Sequence, residues 1–393
     1  FCTAEGGATS HTSILAKALG LPAVVGLGPD LMAAQDGTYV IVDGERGQVV
    51  LDPDEATRRY YEACSVEVRE RARTERAVCH EPAVTRDGHR VEIVANVGGP
   101  EDAKMALEAG AEGVGLFRTE FLYLDRLTAP DEEEQLAGYD SVLDIMEGRP
   151  VVVRTLDVGG DKEIPYIDLG REANPFLGWR AIRMCLDRPD FFKAQLRALL
   201  RSGVGHDMRI MFPMVATLDE VRRAKALLAE ARAEVLARGL TVADRLQVGI
   251  MVEIPAVVVM ADLFAREVDF FSIGTNDLTQ YTLAAERTNE RVAHLSDACH
   301  PAVLRQIQRV IVEAHRAGIW VGVCGELAGD PDAVPILLGL GLDEFSMAPP
   351  SIPRAKAVVR TWSLASAQRL AAEVVQLDSA EAVRALVRGR QPE

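Results

Sequence analysis

Eight short apolar runs, each leading into a helical stretch, constrain this chain more than any other feature. They are Val91–Val97, Gly113–Phe117, Val151–Leu156, Met208–Met214, Val248–Ile254, Phe270–Ile273, Trp320–Cys324 and Glu344–Met347. Runs of strand length that are apolar on both faces must be covered from both sides, which is the condition of a parallel sheet wrapped in helices. Amphipathic stretches such as Glu101–Glu108 and Leu218–Arg238 supply that cover. Eight strand-helix units predict an α/β fold closed into a (β/α)8 barrel of the TIM type, with an open doubly wound sheet as the alternative.

The chain has 393 residues, room for one barrel of about 250–300 residues and a smaller attachment. Residues 1–52 read as the attachment: a loop at Gly6-Gly7, a helix, then two short strands between Tyr39 and Leu51 about the Asp43-Gly44 turn. Residues 53–82 read as a linker, because Glu55–Ala77 is rich in Glu, Arg and Ala and poor in turn formers. The barrel is expected over 83–365 and C-terminal helices over 366–393, at Ser366–Val375 and Ser379–Val387. The opening at Phe1, with no initiator methionine and no signal-peptide pattern, reads as a piece of something longer.

No apolar run approaches the ~20 residues a membrane helix needs, so no membrane insertion is expected. A formal charge of −16 repels nucleic acid and anionic lipid, and an anionic substrate therefore demands a local cluster of cations. Six cysteines without a C-x-x-C spacing predict neither a zinc ribbon nor a disulfide framework but reduced thiols in a cytoplasmic protein.

In such a barrel, chemistry belongs where strands end, since those loops share one mouth. Arg118 follows the second run, Arg154 lies in the third, Glu253 closes the fifth, Asn276 and Asp277 follow the sixth, and Cys324 and Glu326 close the seventh. One polar strand end is an ordinary boundary; several on one rim predict a site. Glu253 and Asp277 are oxygen donors on neighbouring strands, a pair suited to Mg²⁺. For each acid alone, a helix cap or solvated turn explains it as well.

Arg118, Arg154, Arg180 and Arg287 supply the cations, their planar forks matching phosphate and carboxylate. A surface ion pair is the plainer explanation for any one of them. Cys324, a thiol at a strand end, serves as a proton donor or as small buried filler. His11, in Gly6-Gly7-Ala8-Thr9-Ser10-His11-Thr12-Ser13, is placed near a helix start, where amides and the helix dipole stabilise a phosphoryl group. Its bland counterpart is a cap or surface histidine.

Longer motifs converge on one family. Gly-Gly-Ala-Thr-Ser-His-Thr-Ser at 6–13, Phe-Arg-Thr-Glu-Phe-Leu at 117–122, Arg-Thr-Leu-Asp-Val-Gly-Gly-Asp-Lys at 154–162 and Asn-Pro-Phe-Leu-Gly-Trp-Arg at 174–180 appear in order. Met-Phe-Pro-Met at 211–214, Ser-Ile-Gly-Thr-Asn-Asp-Leu-Thr-Gln-Tyr at 272–281 and Cys-Gly-Glu-Leu-Ala-Gly-Asp at 324–330 follow. Over nearly its whole length the chain resembles enzyme I of the bacterial phosphoenolpyruvate:sugar phosphotransferase system.

That resemblance implies a partial phosphohistidine domain, a helical linker and a phosphoenolpyruvate-binding barrel. His11 is the implied phosphoacceptor, Glu253 and Asp277 the Mg²⁺ ligands, and Cys324 the acid that protonates the enolate. Arg118, Arg154, Arg180, Arg287 and Asn276 are the implied phosphoenolpyruvate contacts. It further implies a homodimer through the barrel and transfer to the phosphocarrier HPr for sugar uptake. The family's helical HPr dock and the first half of its histidine domain have no counterpart ahead of Phe1, so transfer to HPr is expected to fail for this chain. Pyruvate phosphate dikinase, phosphoenolpyruvate synthase, a Mg²⁺-dependent pyruvate-enolate lyase and a non-catalytic regulatory fragment remain as alternatives.

Overall fold

The computed structural model describes residues 1–6, 16, 21–124, 126–160, 164, 166–167, 170, 172–287, 289 and 291–390. The expected barrel is present. Its eight strands are β4 (Arg90–Val97), β5 (Val114–Arg118), β6 (Val151–Arg154), β7 (Met208–Phe212), β8 (Gln247–Val252), β9 (Phe270–Ile273), β10 (Trp320–Val323) and β11 (Glu344–Met347). Each pairs in parallel with its sequence neighbour, and β11 returns to β4, from Glu344 opposite Glu92 to Met347 opposite Ala95. Closure removes the edges that an open sheet would expose.

Alternation along the strands divides the core in two. Leu116, Val152, Met211, Met251, Phe270 and Cys324 fill the barrel interior, with Trp320 packed against them. The opposite faces join a larger apolar layer under the surrounding helices. Four of the expected strands are shorter at the mouth: β6 ends at Arg154, β7 at Phe212, β8 at Val252 and β10 at Val323. Leu156, Pro213 and Met214 beyond these ends are apolar and buried, but their backbone has already left the ladder. Met214 shows this directly, with a left-handed φ of 55°.

Before the barrel, β1 (Val40–Asp43) and β2 (Gln48–Leu51) form the expected antiparallel hairpin. Helix α1 (Glu55–Ala77) starts on the Asp54 side chain, which accepts from the Thr57 amide, and none of its residues is buried. A two-residue strand, β3 (Ala83–Val84), pairs antiparallel with the start of β4, too short a run to register in the sequence pattern. Buried Lys356 ties this end down by donating to the Glu81 and Gly110 carbonyls at 3.2 and 2.7 Å, with Glu112 at 3.2 Å.

The wrapping helices are α2 (Pro100–Glu108), α3 (Glu132–Leu143), α4 (Ile182–Asp187), α5 (Pro189–Ser202), α6 (Leu218–Ala237), α7 (Pro255–Val259), α8 (Ala261–Phe264), α9 (Thr275–Leu283), α10 (Pro301–Ala317), α11 (Val334–Leu340) and α12 (Ile352–Thr361). Helices α13 (Leu364–Val374) and α14 (Ala380–Gly389) follow, within two residues of the expected bounds at each end. Gly339 on α11 lets the Ala367 carbonyl of α13 approach so closely that a Cβ would collide with it.

Candidate active site

Arg154 is the last residue of β6 and is buried. A buried guanidinium needs compensating charge and hydrogen bonds. Glu120, on the turn after β5, accepts from its Nη2 at 2.6 Å, and Asp157 lies 3.0 Å from its Nη1. Arg180, just before α4, is only 2% exposed. Its Nε and Nη2 donate to the two Asp157 oxygens at 2.9 and 3.1 Å, and its Nη1 reaches Asp277 at 3.4 Å. One carboxylate thus orients two arginines. Burial acts to lower the pKa of both guanidiniums, but their acidic partners outweigh it and raise both.

Arg118, at the end of β5, keeps an exposed side chain. Enclosure by the mouth, and then the like charge of Arg154, lower its pKa. Arg287 approaches Asp277 at 3.6 Å from the other side. The four arginines named from sequence therefore meet on one rim, three through the acids Glu120, Asp157 and Asp277 and Arg118 through its charge.

Glu253 follows β8 and is fully buried. Its Oε1 accepts from the Met214 amide at 2.6 Å, an amide turned inward by that residue's left-handed backbone. Its Oε2 has no partner among the described residues and lies where a Cβ on Gly274 would stand 2.9 Å away. Burial, then the charges of Asp277 and Asp157, push its carboxyl up to about 8 against the pull of Arg180 and Arg154. An unpartnered carboxyl oxygen near a second acid, Asp277, is the donor set a hard dication suits; the residues present fit Mg²⁺ with substrate oxygens completing its shell. No group of three or more His, Cys, Asp or Glu side chains among the described residues forms a closed protein cage, as a Mg²⁺ shared with substrate does not require.

Cys324 follows β10 and is buried, its Sγ 3.7 Å from the Ile273 carbonyl. Burial pushes the thiol up to about 11, partly offset by the nearby Ser272 hydroxyl. At neutral pH it holds its proton. Asn276, on the first turn of α9, accepts through Oδ1 from the Glu326 amide at 3.1 Å and so braces the loop after β10. His11 lies outside the described residues.

Glu120, Asp157 and the Met214 amide escaped the sequence reading. Both acids stand inside motifs that carry the resemblance: Asp157 three residues after buried Arg154, and Glu120 two residues after Arg118, which ends an apolar strand. The signal was there: an arginine inside an apolar strand requires an acid close by.

Two family models match the chain: "PEP-utilising enzyme, PEP-binding domain" over residues 72–364 and "PEP-utilising enzyme, mobile domain" over 1–47. The chain is 53% identical over 383 residues to phosphoenolpyruvate-protein phosphotransferase of Priestia megaterium, covering 98% of this chain and 67% of that protein. The proteins of the same name from Geobacillus stearothermophilus and Bacillus subtilis (strain 168) are 54% and 51% identical, over 99% of this chain and 67% and 68% of theirs.

Proposed function

The chain belongs to the PEP-utilising enzymes and, among them, to the phosphoenolpyruvate-protein phosphotransferases, and from that premise we propose how its residues divide the work. The enzyme transfers the phosphoryl group of phosphoenolpyruvate. His11 is the acceptor, and the P–O bond to the enol oxygen breaks as an N–P bond to its imidazole forms. The enolate left behind takes a proton at carbon 3 from Cys324 and leaves as pyruvate.

Arg154 and Arg180, held rigid by Glu120 and Asp157, bind and orient the phosphate and carboxylate of the substrate. Arg118 and Arg287 complete the cradle from the lip, with Asn276 beside them. Preset donors need no reorganisation when charge moves, which is where such sites gain most of their rate. Glu253 and Asp277 would hold Mg²⁺, whose chemistry is to offset negative charge on the transferring group and the enolate oxygen. In the full-length enzyme HPr is the onward acceptor, and the barrel forms the homodimer. Residues 1–52 make the phosphohistidine unit, 53–82 the linker, 83–365 the barrel and 366–393 the C-terminal helices.

The observation that carries this reading is the meeting of a doubly anchored arginine pair, an unpartnered Glu253 oxygen and a proton-holding thiol on one rim. To test it, phosphoenolpyruvate and Mg²⁺ are mixed with the chain, and pyruvate and acid-labile phosphohistidine are measured. Both should form together, and EDTA, Glu253→Ala or Asp277→Ala should abolish both. Pyruvate release that continues in EDTA removes the metal assignment, and phosphorylation that survives His11→Ala removes the acceptor.

A further inference from the structure

Beneath the mouth, the barrel interior contains polar groups that phosphoryl transfer leaves unused. Gly322 of β10 pairs with Ser272 of β9 on one side and Glu344 of β11 on the other. All share the inward face with Phe270, Trp320 and Cys324, since side chains two apart on a strand point the same way. Ser272 Oγ and Glu344 Oε1 are both buried and lack a hydrogen-bond partner among the described residues. Each such atom is costly to bury and calls for an explanation.

Two bare glycines make the space. A Cβ on Gly322 would stand 2.9 Å from Glu344 Oε1, and one on Gly115 would stand 2.6 Å from that oxygen and 2.7 Å from Ser346 Oγ. The carboxyl thus reaches inward over both backbones. Cys324 is two residues beyond Gly322 on the same face, and the Ser272 hydroxyl is close enough to influence its thiol.

Each turnover leaves Cys324 as a buried thiolate that must regain a proton. The mouth is a poor source, because its arginines keep their protons and Glu253 and Asp277 have none to give while they hold a metal. Resting on the reading of Cys324 as the acid, we propose that Glu344, acting through the Ser272 hydroxyl, returns the proton to Cys324 from inside the barrel. The Glu344 O–H bond breaks and its proton passes to a bridging water, which gives one of its own protons to Ser272 Oγ as the Ser272 hydroxyl proton moves to Sγ. That water would sit over Gly322, where Ser272, Ser346 and Glu344 offer the number of polar partners a buried water needs.

The carboxylate left behind is faced by Arg209 of β7, with Glu92 of β4 and Asp343, just before its own strand, opposing ionisation. It regains its proton from water at the N-terminal end of the barrel, where Glu92 is exposed and Arg209 and Trp320 are half-buried. Burial, the largest influence, pushes Glu344 up to about 8, so it carries a proton at neutral pH.

The test follows two isotopes at equilibrium in D₂O with Mg²⁺. Carbon-14 passing from pyruvate into phosphoenolpyruvate counts chemical reversals, while deuterium at carbon 3 of phosphoenolpyruvate counts exchange of the Cys324 proton with solvent. The ratio of deuterium to carbon should fall about tenfold or more in Glu344→Gln and in Ser272→Ala, and Glu344→Asp should recover part of it. A purely structural role would slow both isotopes together and leave the ratio unmoved. A wild-type ratio in both variants overturns the relay. Carbon exchange at the wild-type rate in Cys324→Ala overturns the acid assignment and the relay with it, an outcome distinct from the first.

Discussion

Asp157 holds Arg154 and Arg180 on one carboxylate, so its loss leaves two buried cations each one acid short, Arg154 with Glu120 and Arg180 with Asp277. Asp157→Ala should destabilise the protein by about 3–5 kcal/mol, the scale of breaking a buried pair, read as a lower urea midpoint, and should weaken phosphoenolpyruvate binding through two arginines it never replaces. Arg118 is the contrast. Exposed at the lip, it can be cut to Ala with little change in melting temperature, yet binding in calorimetry should weaken by roughly 1.5–3 kcal/mol, the scale of a hydrogen bond to a charged group. Wild-type affinity in Arg118→Ala would remove it from the cradle.

Glu344 carries a pH signature of its own. Its folded pKa of about 8 lies above the unfolded range, so the folded state binds the extra proton and stability falls as pH rises from about 4.5 to 8. Glu344→Gln cannot ionise. Its stability advantage over wild type should therefore widen by about 3–4 kcal/mol between pH 5 and pH 8; a pH-independent difference would place the carboxyl outside that range. The same residue explains what a sequence hides. Glu344 opens an apolar run and reads as a strand boundary, and only the glycines facing it from β5 and β10 show that its side chain points into the barrel. Arg180 is similar: no strand positions it, and Asp157, 23 residues away, does.

At the scale of elements, the eight strands were legible because burial on both faces leaves no polar alternation to confuse them with surface strands. Their mouth ends were less so, because Leu156, Pro213 and Met214 are buried without being paired in the ladder. Helix contacts left weaker traces. Gly339 looks like a helix-weakening residue, yet it is where α11 admits the α13 backbone. Gly339→Ala gains helix propensity but drives a methyl into the Ala367 carbonyl, and overpacking of this kind costs about 1–3 kcal/mol. A lower melting temperature is expected; an unchanged or higher one would mean that α13 shifts away at no cost.

For the whole molecule, charge is sorted by depth: a net −16 overall, with two arginines buried at the centre of the site. No helix among the described residues is long and apolar enough to cross a membrane. Helix α1 presents Arg58, Arg59, Arg69, Arg71, Arg73 and Arg76 and buries nothing, whereas the barrel core is complete without it. Brief trypsin treatment should therefore cut first within α1, as mass spectrometry would show, and leave a barrel fragment that still binds phosphoenolpyruvate. First cuts inside the barrel, or a fragment that unfolds, would show α1 to be part of the core's support.

A helix that buries none of its 23 residues is also a ruler. At 1.5 Å per residue it spans about 35 Å, and with no side chain committed to a core its spelling can drift widely while its length cannot. Inserting one residue would rotate whatever it carries by about 100° and advance it by only 1.5 Å. Selection on such a tether acts on phase more than on composition, and a designer fusing new units to this barrel inherits the same constraint.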